Sequence, residues 1–279
     1  MRWQTGRRSS NVEDRRGMRP GVIGGGIGAV VLAIVAMLFG VNPGDIGTSD
    51  PAAEGPSETY QASPEEQRQA DFVSVVLAST EDTWQRLFQN MGGTYQDPTL
   101  VLFSGATQSA CGFAQSAMGP FYCPSDGRVY LDLSFFQDMQ TQLGASGDFA
   151  RAYVVAHEVG HHVQNLLGIS DQVHQLEQQA GQTEANELSV RLELQADCLA
   201  GVWARNADQA QDILEQGDIE EALNAAAAVG DDRLQKASQG YVVPESFTHG
   251  TSAQRAHWFR EGMNSGDVEA CNTFEASSF

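Results

Sequence analysis

The chain has 279 residues, 41% hydrophobic and 19% charged, enough for one sizeable domain with appendages. Sixteen Lys and Arg face 36 Asp and Glu, a net charge of −20. The first 20 residues hold six arginines (Arg2, Arg7, Arg8, Arg15, Arg16 and Arg19) against two acids, a local net of +4, so the remainder carries −24 and excludes a nucleic-acid-binding surface.

Directly after the arginines comes GVIGGGIGAVVLAIVAMLFGV, residues 21–41, with no charge and enough length to span about 30 Å of hydrocarbon as a helix. A signal peptide would have a shorter apolar core and a small-residue cleavage site, which VNPGDIG does not supply. The run reads as an uncleaved single-pass anchor in the cell membrane. The arginines on its N-terminal side predict residues 1–20 as a basic cytoplasmic tail and everything beyond as extracytoplasmic. Residues 42–62, rich in Pro, Gly, Ser and acids, read as a flexible linker, which leaves 63–279 as the domain.

Within the domain, SPEEQRQADFVSVVLASTEDTWQRLFQNMG predicts a helix capped by Ser63 with Pro64 at its first position and a possible break near Ser79–Thr80. TLVLFSG (99–105) is a short strand. GPFYCPSDGRVYLDLSFF (119–136) is a β-hairpin turning at Ser125, Asp126 and Gly127. Helices follow over 147–168, 183–207, 218–230 and 252–263. The fold class is α+β, mostly helical, with a small antiparallel β element and one preceding transmembrane helix. Cys111, Cys123, Cys198 and Cys271 all lie beyond the membrane segment, where an oxidising compartment favours two disulfides. A local loop favours Cys111–Cys123, which leaves Cys198–Cys271. No CxxC is present to suggest a zinc ribbon.

The chemistry concentrates in VVAHEVGHHVQN, residues 154–165. On a helix, His157 and His161 share one face a turn apart and can hold one metal ion, while Glu158 is a step around and can reach a water on that metal. This is HExxH. The flanking Val154, Val155, Val159 and Val163 suit a buried helix, and Gly160 gives it a small surface. His162 points about 100° away from His161 and is not expected to be a ligand. Catalytic zinc usually takes three protein ligands. A third His six residues past His161 is excluded, because Leu167 stands there. In ELQAD of the following helix, Glu193 and Asp197 share a face within a mostly apolar stretch. Glu193 is assigned as the third ligand and Asp197 as hydrogen-bond partner of a ligand His. Glu184 and Glu187 are the competitors for the ligand role.

The combination of HEVGHH, ELQADCLAG, CGFAQSAMGPFYCPSDGRVYLDLSFF and SFTHGTSAQRAHWFREGMNSGD resembles the bacterial family described as putative neutral zinc metallopeptidases, from about residue 63 to 274. The resemblance implies a membrane-anchored, zincin-like domain. More distantly, His157, Glu158, His161, Glu193 and Asp197 are similar to the gluzincin branch that includes prenyl-protein endopeptidases, where a glutamate ligand lies in E-x-x-A-D. That branch carries a late His with an Arg six residues on, as His249 and Arg255 are spaced here, although Gly250 stands where the branch usually has Pro. The resemblance implies that His249 donates to a developing oxyanion and that Arg255 orients it or a ligand.

These residues predict one Zn2+ per chain and peptide-bond hydrolysis of a peptide or protein substrate outside the cytoplasm, with Glu158 as general base. The competing readings are a non-proteolytic metal-containing scaffold, for which Glu158 has no use, and a zinc amidase acting on cell-wall material. Neither the natural substrate nor the oligomeric state is legible.

Overall fold

The computed structural model describes residues 1–18 and 60–275. The expected transmembrane run 21–41 and most of the linker lie outside these residues. Among the described residues no helix is long and apolar enough to cross a membrane.

Strand β1 (Val12–Asp14) is followed by helix α1 (Pro64–Asn90), which starts as its sequence predicts. The Ser63 hydroxyl accepts from the Glu66 N–H, and the Glu66 carboxylate accepts from the Ser63 N–H. The helix runs unbroken through Ser79 and Thr80, where the Thr80 hydroxyl donates back to the Leu77 carbonyl at 2.7 Å. Its face of Phe72, Val73, Val76, Leu77, Trp84 and Phe88 belongs to the main core.

Next come β2 (Thr99–Phe103), the hairpin β3 (Ala106–Ser109) and β4 (Gly112–Gln115), then β5 (Phe121–Cys123) and β6 (Arg128–Asp132). The predicted hairpin is present as β5–β6, antiparallel with Cys123 opposite Arg128, and Gly127 takes φ 67° in its turn. The expected purely antiparallel element is corrected. The main sheet has order β1-β2-β6-β5, with both β1–β2 and β2–β6 parallel. The hairpin strand also ends earlier than expected. Asp132 accepts from the N–H of Ser134 at 2.9 Å and of Gly105 at 2.8 Å, and helix α2 (Ser134–Thr141) begins there.

The remaining helices are α3 (Asp148–Leu166), α4 (Ile169–Glu177), α5 (Gln182–Gln211), α6 (Asp218–Ala228), α7 (Asp231–Gln239) and α8 (Ser252–Ser265). The four helices expected after residue 147 are all present. Asp148 does not cap α3; its carboxylate instead accepts from the Trp3 indole N–H at 3.0 Å. α5 is the central helix, packed most extensively on α8 and next on α3. The disulfides Cys111–Cys123 and Cys198–Cys271 both form as expected.

The N-terminal segment departs most from the sequence reading. It is docked on the domain and is not a separate tail. Met1 is buried, and its α-amine pairs with Glu215 at 2.8 Å and Asp218 at 3.1 Å. Trp3 packs edge-on against Phe72 with ring centroids 5.3 Å apart. Arg7 bridges Glu81 and Asp82, and Arg16 pairs with Asp14 at 2.6 Å. Val12 sits in register with Leu100. Of the arginines that read as a topology signal, Arg2, Arg7 and Arg8 face acids of this domain, while Arg15 and Arg16 pair with Glu13 and Asp14 of the segment itself.

Candidate metal centre

His157 and His161 lie one turn apart on α3, and Glu193 reaches them from α5. The helices meet closely because position 160 is Gly. A Cβ there would sit 2.9 Å from the Ala196 carbonyl oxygen, between Glu193 and Asp197 in sequence. The ligand atoms converge: His157 Nε2 is 3.2 Å from His161 Nε2 and 3.2 Å from Glu193 Oε2, and His161 Nε2 is 3.3 Å from Glu193 Oε1. Among the described residues this is the one cluster of metal-ligating side chains so gathered.

The far side of each imidazole decides what the cluster can hold. His157 Nδ1 faces Asp197 Oδ1 at 2.9 Å. His161 Nδ1 faces Gln164 Oε1 at 2.9 Å, and that amide's orientation is set by its nitrogen donating to the Leu192 carbonyl at 2.7 Å. Both Nδ1 atoms therefore carry the proton in the neutral imidazoles, and both Nε2 lone pairs point at each other and at a carboxylate. Such an arrangement is repulsive without a cation between the three atoms. Tetrahedral zinc with bonds of about 2.0–2.1 Å separates its ligand atoms by about 3.3 Å, which these distances match.

The electrostatics agree. Burial opposes charge on His157, but the Asp197 and Glu193 carboxylates together outweigh it and draw its pKa up to about 10, so the pocket favours positive charge, whether a proton on the imidazole or a metal ion at its Nε2. Burial would raise the Glu193 carboxyl, yet the two imidazoles hold it well below the usual carboxylate range. Asp197, fully buried, is likewise depressed on balance, chiefly by Arg255 against the pull of burial.

The model for the family described as "Putative neutral zinc metallopeptidase" matches residues 1–274. The chain belongs to this family. It is 56% identical to the uncharacterized protein YpfJ of Escherichia coli K12 over 99% of this chain and 100% of that one. It is 42% identical to the uncharacterized protein Rv2575 of Mycobacterium tuberculosis, over 87% of this chain and 86% of that one. No solved structure matches. The family match begins at residue 1, so it includes the docked N-terminal segment.

In this metallopeptidase family member, Arg255 lies behind the ligands. It is buried and donates to Asp197 through Nε at 2.8 Å and Nη2 at 3.0 Å, and to the Tyr153 hydroxyl at 3.3 Å. Its hydrogen bonds run to Asp197 and through that carboxylate to His157. Tyr153 completes the network with a short hydrogen bond to Asp197. Sequence reading missed Tyr153 and Gln164, although both carry a signal: they stand four residues before His157 and three after His161 on the same helix.

His249 faces the cleft from the loop before α8, half exposed. Its Nδ1 lies 3.3 Å from Asp231, whose other oxygen accepts the backbone N–H groups of Thr248, His249 and Gly250. Asp231, not Arg255, therefore orients His249, and nothing in the local sequence marks it. His162 stands outside the cluster. It is held between the Gln96 carbonyl at 2.6 Å and the Tyr122 hydroxyl at 3.0 Å, pinning β5 beside α3. Glu184 and Glu187 are exposed and are not part of the cluster.

Glu158 is buried, and burial raises its pKa. It lines a cleft of about 1340 Å3 together with His157, His161 and Glu193. Met118, Phe121, Phe135 and Val154 supply apolar wall, and Asp138, Asp171 and Glu177 supply negative charge. The edge strand beside this cleft is β5; β6 lies inside the sheet between β2 and β5.

Proposed function

We propose that this chain is a zinc-dependent endopeptidase, associated with the cell membrane through residues 21–41 and acting outside the cytoplasm. The observation that carries the reading is Glu158: a buried carboxyl with a raised pKa, in the same cleft as three converging ligand atoms. A site that only held structure together would have no use for it.

His157, His161 and Glu193 would hold the zinc, which when bound polarises a carbonyl and acidifies a water. Glu158 takes a proton from the attacking water and returns it to the leaving amine. Burial raises its pKa, the direction that favours returning the proton as well as taking it. Asp197 keeps the His157 proton on Nδ1, and Arg255 and Tyr153 fix Asp197 in turn. Asp231 holds His249 at the cleft, where the imidazole can donate to a developing oxyanion. β5 offers free backbone groups at the sheet edge, with which an extended peptide can pair. The cleft exceeds the roughly 300–1,000 Å3 of common small-molecule sites, which favours a chain over a single amino acid derivative. Apart from buried Arg255, no Lys or Arg lines the cleft among the described residues, so acid-poor segments suit it best.

The test is a peptide cleavage profile of the full chain, with and without chelator, beside Glu158→Gln. The variant keeps shape and every ligand while losing the base. Its zinc content should be unchanged and its cleavage lower by about 10²-fold or more. Full activity of Glu158→Gln would sink the mechanism.

A further inference from the structure

The docked N-terminus restricts how the chain can meet a membrane. The first described segment ends beside the start of the second. The Gly17 backbone lies against the Tyr60 side chain, so closely that a Cβ at Gly17 would sit 2.6 Å from Tyr60 Cβ. The Arg16 guanidinium lies over the Tyr60 ring at 5.8 Å and donates to the Glu66 carbonyl at 3.1 Å. The chain therefore leaves the domain and returns to it at one point.

A segment that crosses a bilayer once has its two ends on opposite faces, about 30 Å apart. Residues 42–59 cannot supply a second crossing. They hold Asp45, Asp50, Glu54 and Glu58 with Pro43, Pro51 and Pro56, and no apolar run. One crossing by residues 21–41 and the docked N-terminus are thus mutually exclusive within one chain.

The contacts favour docking. The α-amine of Met1, Trp3 and Arg16 are buried against partners from α1, α3 and the loop before α6, and β1 is a parallel strand of the main sheet. Among the described residues, the arginines that would orient a crossing are engaged. Arg2 donates to the carbonyls of Asp212 and Leu214, Arg7 pairs with Glu81 and Asp82, and Arg15 with Glu13.

We infer that residues 1–18 and the metallopeptidase domain occupy one compartment, on the same side of any bilayer the chain meets. The first described segment ends just after β1, at one edge of the sheet. The cleft lies by β5, at the opposite edge, and is left free for substrate.

Single cysteines at two exposed serines test this in the full chain in its own membrane, because the four native cysteines are all paired. Ser10→Cys reports on the N-terminal segment and Ser238→Cys on the domain. Both changes are near-isosteric at exposed positions. A membrane-impermeant maleimide is applied to intact spheroplasts and to lysed ones. Both positions should label equally in intact spheroplasts. Labelling of both only after lysis would uphold the shared compartment and overturn the extracytoplasmic placement proposed above. Labelling of Ser238→Cys in intact cells with Ser10→Cys protected until lysis would overturn the inference. As a second measurement, a Val12→Cys, Leu100→Cys pair across the β1–β2 register should crosslink under oxidation in the membrane. Absence of that crosslink alongside divided labelling would show an undocked N-terminus.

Discussion

Glu193 is the residue on which the ligand assignment turns, because α5 offers several carboxylates and only one meets both imidazoles. Glu193→Ala should abolish stoichiometric zinc binding, whereas Glu187→Ala, at an exposed position, should keep it; metal analysis of the purified variants decides. Asp197 acts one step back. It is fully buried, bonds His157 Nδ1 and is bridged by Arg255. Asp197→Asn keeps the shape but weakens the hold on the imidazole tautomer, and zinc affinity measured by competition with a chelator should fall about 10–100-fold. Glu158→Gln, in contrast, should leave affinity intact and lose turnover. The two variants thus separate holding the metal from moving the proton.

Helix α5 sets the geometry of the site because two neighbours approach it closely. α3 does so at Gly160, and α8 does so at Gly201, where a Cβ would overlap the Phe259 carbonyl. Backbone offers no flexible side chain to move aside. Gly201→Ala should therefore destabilise the fold by at least about 1–3 kcal/mol, read as a lower denaturant midpoint. The loop carrying His249 depends on Asp231 at the start of α7. Burial would raise this carboxyl, but the His249 hydrogen bonds and backbone N–H groups bring it below its usual value. A group depressed in the folded state contributes stability above its unfolded pKa of about 3.9 and loses it as pH falls through the lower folded value. Thermal unfolding of Asp231→Asn against the parent chain should show the difference shrinking below about pH 4, as Asp231 protonates, and shrinking again as pH rises through the raised pKa of His249, whose charge Asp231 stabilises.

Across the whole molecule, the N-terminal segment closes the core. Trp3 covers Phe72, and Met1 reaches the loop before α6. Trp3→Ala should cost about 3–5 kcal/mol, measured by chemical denaturation, and a fragment starting at residue 60 should be less stable than the full chain. The separate-tail reading predicts no effect from either change. The Cys198–Cys271 bridge ties α5 to the last described turn across 73 residues, and its removal should cost about 2–5 kcal/mol.

The sequence by itself determined what rests on local geometry. Helical spacing fixes His157 and His161 on one face and Glu193 with Asp197 on another, the Ser63 capping box starts α1, and the Asp126-Gly127 turn makes the β5–β6 hairpin. Two ligand-bearing helices with complementary chemistry then leave little choice of partner. Only the tertiary structure decided what depends on contacts distant in the chain. β1 is three residues long and pairs with a strand 88 positions away, by the Val12–Leu100 register. Arg255 turns to Asp197 and leaves His249 to Asp231, a choice that motif spacing cannot express. The arginines of the N-terminus have the same charge whether they face a membrane or an acidic domain. A sequence shows the sign of a charge, and the fold supplies its partner.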